Sequence, residues 1–428
     1  MIEVLGPPDS PGVDTSVILR KHGIAEAHSP GAVAEAGWLG TEVRVQDCEG
    51  RTDFRGDLTV TIDGDDARDF DDAVSVERRD AGGFTLRVHI ADVSHYVQAG
   101  SALDGDALFD QVRTLIDPSE LHYLVINHIE PDHSGALKAL IQTAPQIKLL
   151  GSARTRDMLA SFYGITENIR AVADGEELSL GSHTLKFIST PNVHWPETMM
   201  TYETTRKILF PCDGFGGYGA LNGGIFDDET VDLPWYEDQA RRYFVNIIAH
   251  FAKPVNNALA KLAGVPLEMV APSHGLVWRR DPQRIIELYR KWAGYAGRPG
   301  DPAVTLLFGS MYGSTERMME IIAQGIAAEG LPLDVFDVTR ADISDILVPL
   351  WLNAGAMVGA PTYEGGLFPD MGNVLQMAQR KHIFNKVSAG FGSAAWGGGG
   401  QREFNERAAA LKWEVFGNLE FKGEPKSA

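Results

Sequence analysis

An α/β fold in more than one domain is what this sequence predicts, and three observations predict it. From Ala303 onward, apolar strands alternate with helices in a βαβα order, the pattern of a doubly wound parallel sheet. Between about Ala107 and Gly297, ligand-type side chains recur in loops that directly follow apolar strands. The first hundred residues are rich in Asp, Gly and short alternating runs, which suits a small α+β piece. A chain of 428 residues has room for two to four domains at roughly 100–200 residues each.

Composition narrows the class. The 38 basic and 58 acidic side chains give a formal charge of -20, which lacks the basic footprint of a dedicated nucleic-acid binder. A hydrophobic fraction of 44% is ordinary for a globular protein and excludes a disordered or collagenous chain. Cys48 and Cys212 are too few for a disulfide framework, and no CxxC pair is present for zinc or a rubredoxin-type iron. No run reaches the ~20 apolar residues of a bilayer span. The nearest, 346–363, is broken by Asn353, Gly and Pro. The opening MIEVLGPPDS has no basic n-region or apolar h-region. A soluble, cytoplasmic protein without membrane contact is expected.

Taken in chain order, 57–62 (DLTVTI) and 84–91 (FTLRVHIA) read as strands, with a turn at 80–83. Leu108, Phe109, Val112, Leu115 and Ile116 fall at helical spacing, and Asp117-Pro118 stops that helix. A strand at 121–127 (LHYLVIN) precedes a helix opening near Ser134, and strands follow at 146–150, 184–190, 199–203 and 207–211. Long amphipathic helices are expected at 235–262 and 281–296, and 298–302 (RPGDP) is a linker by composition. Beyond it come VTLLFG, a helix from about Ser314, LPLDVFDV, a helix, AGAMVGA, a helix near 370–381, KVSAGFG, a helix near 402–411 and a last strand near 413–420.

His128, Glu130, Asp132 and His133 place four metal-ligand side chains within six residues at a strand end. Three more candidates follow in PNVHWPE (His194), FPCDGFGG (Asp213) and APSHGLVW (His274). A lone histidine at a strand end is ordinary; this grouping is not. Mixed imidazole and carboxylate ligands suit iron, manganese or zinc, and a central Asp can bridge two metals. Sixty residues lie between His133 and His194, 18 between His194 and Asp213, and 60 between Asp213 and His274. This H-x-E-x-D-H pattern with its downstream His, Asp and His resembles the flavodiiron proteins (A-type flavoproteins), built on a metallo-β-lactamase-like fold. Zinc hydrolases of that fold would carry His in place of Glu130. The resemblance implies one iron held by His128, Glu130 and His194, a second by Asp132, His133 and His274, and Asp213 bridging.

The run Phe308-Gly309-Ser310-Met311-Tyr312-Gly313-Ser314-Thr315 follows a strand and opens a helix, so backbone N–H groups and hydroxyls there can wrap a phosphate. Without the Lys of a nucleotide-triphosphate loop or a GxGxxG, it resembles the flavodoxin phosphate loop for FMN. Two further strand-end loops support this reading: one holds Pro361, Thr362, Tyr363 and Glu364, the other Ser393 and Trp396. Tyr363 and Trp396 can stack near the flavin ring. The second loop departs from the family's aromatic-Gly-Trp form in having Ala394 and Ala395 before Trp396.

The leader resembles something else. The run 61–74 (TIDGDDARDFDDAV), continued by 89–97 (HIADVSHYV), resembles the catalytic entry of ribonuclease II/R-type exoribonucleases. In that family acidic residues matching Asp63, Asp69, Asp71 and Asp72 hold Mg²⁺ for RNA hydrolysis, and clustered carboxylates do bind hard divalent ions. The rest of such a nuclease and its basic RNA-binding parts are not recognisable, so a solvated acidic loop is the plainer reading, and RNA is not the expected partner. The expected layout is a nuclease-like α+β fragment over 1–106 and a partial metallo-β-lactamase-like αββα sandwich over 107–297, short of its first strands. A flavodoxin-like doubly wound sheet over 303–428, short of its closing helix, completes it.

The resemblance implies an oxidoreductase in which FMN feeds a non-haem di-iron site that reduces O₂ to water or NO to N₂O. It further implies a separate rubredoxin or flavin reductase as donor and a head-to-tail homodimer. Two other readings stay open at this point: Mg²⁺-dependent RNA hydrolysis by the leader, and an FMN-binding chimera that assembles no iron. A sandwich missing strands would expose apolar surface and free edges, which predicts poor solubility unless the leader's strands replace them.

Overall fold

The computed structural model describes residues 30–39, 43–61, 72–79, 83–90, 93–97, 101, 116–219, 221 and 224–423. They fall into two compact units, one of Met1–Leu124 with Glu130–Lys148, the other of Val125–Ile129 with Leu149–Ala428. The helix expected at 108–116 lies outside the described residues except for its last position.

In the first unit, β1 (Thr59–Val60), β2 (Asp72–Arg78) and β3 (Phe84–Ile90) form an antiparallel sheet of their own. Val76 faces Leu86 and Ser75 faces Arg87 across it. Beyond it, Gln146 Nε2 ties the turn at Pro118–Glu120 by donating to the carbonyls of Pro118 (2.9 Å) and Ser119 (3.0 Å). The helix expected near Ser134 opens earlier. Pro131 starts a single turn over Pro131–Ser134, since its fixed φ and missing N–H suit a first helical position, and Leu137–Thr143 forms the helix proper.

The second unit begins where the strand β4 (Tyr123–Val125) runs out. Ile126 N donates to Leu150 O (2.7 Å) in β5 (Lys148–Gly151), which pairs in parallel with β6 (Ile169–Ala171). A second, five-stranded sheet runs β11-β10-β9-β8-β7: Met269–Val270, Ile208–Phe210, Met199–Glu203, Thr184–Ser189 and Glu177–Ser179. Its neighbours are antiparallel except β10 with β11. All five residues of β9 are buried.

The sequence pattern predicts one long helix over 235–262; the structure breaks it. Leu233–Tyr243 passes into a π turn at Phe244–Ile248, a 3₁₀ turn at Ala249–Phe251 and a second helix at Ala252–Lys261. The wider turn lets the buried Asn246 amide donate to the carbonyls of Arg242 (2.9 Å) and Ser344 (3.0 Å). The helix expected at 281–296 is shorter, Pro282–Ala293, with Asp281 accepting from Arg284 N at its start.

The linker is also shorter than composition suggests, because Asp301 already pairs with Asn353 as β12 (Asp301–Phe308) begins. That strand heads a parallel sheet ordered β13 (Leu333–Asp337), β12, β14 (Asn353–Gly359), β17 (Val387–Ala394), β18 (Glu414–Lys422). This is the 2-1-3-4-5 doubly wound order. A small hairpin, β15 (Thr362–Tyr363) and β16 (Gly366–Leu367), turns through Glu364 (φ 48°) and Gly365 (φ 79°). Two consecutive positive φ values are what a two-residue turn between twisted strands requires.

One apolar core runs through both halves of this unit, including Phe244, Trp278, Trp292, Trp351 and Phe404. Trp351 Nε1 donates to Trp292 O (2.9 Å), and Arg242 pairs with Asp345 (2.9 Å). Among the described residues, no helix is long and apolar enough to cross a membrane.

Candidate functional site

Asn127 fixes where the first ligand-bearing loop leaves the sheet. Its O accepts from Met199 N (3.0 Å), its side-chain amide donates to Phe210 O (3.1 Å), and its Oδ1 accepts from Thr201 Oγ1 (2.7 Å). His128 therefore enters the interior, where its side chain is fully buried. Its Nδ1 lies 2.6 Å from Glu197 Oε1, which also accepts from Ile129 N (3.1 Å). A carboxylate at that distance accepts a hydrogen bond from Nδ1–H and leaves the Nε2 lone pair facing inward. Burial pushes the Glu197 carboxyl up, but the His128 hydrogen bond, the backbone N–H donors and the His128 charge together outweigh it, and the net shift is downward.

Asp213 is the point of convergence. It sits in the turn after β10, where Gly214 N donates to Pro211 O (3.2 Å) and Gly216 N to Asp213 O (3.2 Å). Its Oδ2 lies 3.3 Å from His128 Nε2 and 3.4 Å from His194 Nε2, while its Oδ1 lies 3.1 Å from His274 Nε2. The ligand atoms of His128, His194 and Asp213 all fall within 4.8 Å of one another. His274 is aimed by its loop: Ser273 N donates to Cys212 O (2.9 Å), and Gly275 takes a φ of 83°. A Cβ on Gly275 would come 1.9 Å from Tyr236 Oη, which accepts from Leu276 N (2.9 Å). Only glycine leaves that buried hydroxyl in place. Trp195 closes one side, its ring edge-on to His128 at 5.0 Å.

The second unit thus brings together His128, His194, Asp213 and His274. Three imidazole nitrogens around the two oxygens of one buried carboxylate form a donor set that fits a metal pair with Asp213 as bridge. Glu130, Asp132 and His133 lie in the stretch assigned to the first unit. There Glu130 stands just before the Pro131–Ser134 turn, its O accepting from His133 N (2.9 Å), and His133 Nε2 lies 3.5 Å from Asp132 Oδ1. Glu197 was not singled out as a site residue from the sequence. The available signal was a carboxylate three positions after His194, in the same Pro-containing turn.

The carboxyl ends of β12, β14 and β17 lie on one edge of the parallel sheet and present the other candidate loops. Gly313 takes a φ of 85° just before the helix Ser314–Ala328, and its N donates to Ser310 Oγ (3.0 Å). Thr315 turns inward, where its Oγ1 lies 3.2 Å from Ser393 Oγ. Strand β17 continues to Ala394, so Ser393 belongs to the strand and not to a loop. Pro361 is buried, Thr362 Oγ1 donates to Glu420 Oε1 (3.1 Å), and Tyr363 and Glu364 lie exposed in the hairpin. Met311 is partly open, and Tyr312 and Trp396 are each 92% exposed. Their rings are free to lie against a planar ligand. Asp63, Asp69 and Asp71 lie outside the described residues, and Asp72 opens β2 with its side chain undescribed.

Comparison with known proteins gives three domain matches: an RNB domain over residues 51–110, an ODP family beta lactamase over 86–275, and a flavodoxin over 306–428. The chain is 34% identical to a nitric oxide reductase of Moorella thermoacetica over 313 residues, 72% of this chain and 77% of that protein. It is 33% identical to an anaerobic nitric oxide reductase flavorubredoxin of Shigella flexneri over 73% of this chain, and spans 66% of that protein's length. Among solved structures, the rubredoxin oxygen:oxidoreductase of Desulfovibrio gigas aligns with a TM-score of 0.72 at 25% identity, over 83% of this chain and 86% of that one. A flavo-di-iron protein of Thermotoga maritima aligns with a TM-score of 0.69 at 30% identity, over 76% of this chain and 80% of that one. With His128, His194 and His274 around Asp213 and a 2-1-3-4-5 parallel sheet behind them, the chain belongs to the flavodiiron protein family, a metallo-β-lactamase-like domain followed by a flavodoxin-like one.

Proposed function

We propose that the protein is an oxidoreductase that reduces NO to N₂O, O₂ to water, or both, with electrons entering through FMN. The convergence of three histidines on Asp213 carries this reading. When bound, FMN and an iron pair supply the electron transfer and the open metal positions for the diatomic substrate. His128, Glu130 and His194 would hold one iron and Asp132, His133 and His274 the other, with Asp213 between them.

The chain's own contribution is positional. Glu197 holds the His128 ring by its Nδ1 proton, so Nε2 stays an acceptor. Trp195 and the closed packing around Asp213 keep bulk water from the carboxylate. On the flavodoxin side, Ser310, Gly313 and Ser314 offer hydroxyls and helix N-terminal N–H groups to a phosphate, with Met311, Tyr312, Thr315, Pro361, Thr362, Tyr363, Glu364, Ser393 and Trp396 around the remainder. A separate rubredoxin or flavin reductase supplies electrons, in the cytoplasm. A head-to-tail homodimer brings the flavin of one copy to the metals of the other. The RNB-like segment has no part in this chemistry.

The test is iron and FMN content of purified protein, followed by anaerobic flavin reduction and reoxidation with NO or O₂. The reading expects an iron pair and one FMN per chain, with fast reoxidation that Asp213→Ala abolishes. FMN without iron, or iron without reoxidation, overturns it.

A further inference from the structure

A cavity lies where the broken helix meets the flavodoxin-like half. It measures about 450 Å³, and Arg380, Lys381, His250, Phe251 and Met377 line it, with His194 at one wall. Its position follows from the π turn at Phe244–Ile248. Within it the Asn246 carbonyl accepts from Lys381 Nζ, and just beyond it His250 Nδ1 donates to Arg380 O (2.9 Å). His250 also packs against His382, with ring centres 4.1 Å apart and the planes tilted by 32°.

The charge there is one-sided. No carboxylate lines the cavity, and among the described residues neither Arg380 nor Lys381 pairs with an Asp or Glu. Lys381 is half-buried, and burial pushes its ammonium below the usual lysine range with no acidic neighbour to restore it. The helix Pro369–Arg380 ends at this place, and its C-terminus offsets only about half an elementary charge. An arginine, a lysine and an imidazole around a partly apolar hollow leave positive potential unmatched by the protein.

We infer that this cavity is an anion site, taking a tetrahedral oxyanion dianion of the phosphate type between Arg380, Lys381 and His250. Arg380 supplies a planar pair of donors and Lys381 a point charge, which suits two oxygens of one such ligand. Because the walls come from both halves of the unit, the bound anion ties the Arg380–Lys381 corner to the π turn, in a cavity that His194 also lines.

The experiment uses metal-free full-length protein, so that it stands apart from the redox reading. Inorganic phosphate is titrated by calorimetry at constant ionic strength, with chloride as the competing anion. The expected result is saturable binding of one phosphate per chain, weakened about tenfold or more by Arg380→Ala and abolished by Arg380→Glu. The Arg380 side chain is exposed and, among the described residues, holds no hydrogen bond or ion pair, so these variants keep the fold, which a thermal melt checks. Lys412→Ala, at a charge outside the cavity, leaves the affinity unchanged. In parallel, the His250 imidazole resonances shift with phosphate. Absence of saturable binding, or binding indifferent to both Arg380 variants, or shifts that avoid His250, overturns the assignment.

Discussion

The β8–β9 pair and the β2–β3 pair are both antiparallel ladders of this chain, yet they bury opposite chemistries. Across β8–β9, Phe187 and Ile188 pack with Met199, Met200 and Tyr202 in the interior. Across β2–β3, the apolar stripe faces outward: Val76, Phe84, Leu86 and Val88 are 59%, 68%, 64% and 58% exposed. The covered face is the polar one. Ser75 is buried with its Oγ 2.9 Å from His89 Nε2, and Arg87 bridges Asp57 (3.1 Å) and Glu77 (2.6 Å). Strand periodicity fixes which residues share a face; it does not fix which face finds a partner. The first sheet is built into a core and holds a site, whereas the second lies in the stretch that matches an RNB domain and, among the described residues, leaves its apolar side exposed.

The sharpest way to break that contrast is to empty the packed sheet. Phe187→Ala deletes a fully buried ring and should cost about 3–5 kcal/mol in denaturant unfolding. A loss below about 1 kcal/mol would mean that β8–β9 is as loosely held as β2–β3. Next in size is the polar group that the packed sheet carries beside its ligands. Glu197→Ala should lower iron retention by about 10–100-fold, with Glu197→Gln intermediate because its carbonyl still accepts from His128 Nδ1. Iron content equal to the unmutated protein in both variants would remove Glu197 from the site.

Lys386 tests the same unit from its charged side. The side chain is 2% exposed, and Nζ donates to Pro299 O (2.6 Å) and Trp351 O (3.0 Å) without a carboxylate. Burial pushes the ammonium down to about 7. Since an unfolded lysine titrates near ~10.4, the unfolded chain binds more protons between those values, and stability should rise with pH across that window. Below the folded value both states are protonated and the slope vanishes. Lys386→Met should flatten the rise; a pH profile that stays the same would place the titration elsewhere.

How much of this was legible beforehand depends on the signal. The parallel sheet was readable because each strand is an apolar run closed by Gly or a helix start, and the convergence of His128, His194, Asp213 and His274 because each follows an apolar strand. The helix Ala153–Tyr163 was not, since its apolar positions are few. What specifies it is the reciprocal Ser152–Thr155 cap (3.2 and 3.1 Å) and Gly164 at φ 68°. The break after Tyr243 was hidden for the opposite reason: 235–262 keeps helical periodicity throughout, and only the tertiary bonds of Asn246 reveal the π turn. Glu197 escaped notice because its role depends on a partner 69 positions away.

The smallest expected effect is the one that isolates the leader. Leu86 stands on the outward face of β3, opposite Val76, and already meets water over most of its surface. Truncating it removes little burial, so Leu86→Ala should change unfolding free energy by no more than about 0.5 kcal/mol. Leu86→Lys should do the same while raising solubility, because a charge in the middle of an exposed apolar stripe discourages both patch contact and edge pairing. If Leu86→Ala instead costs as much as a core truncation, the stripe is covered in solution and the leader sheet has a partner of its own. If solubility is unmoved by Leu86→Lys while stability holds, the exposed face is not what limits the protein, and the contrast between the two sheets would be one of packing alone.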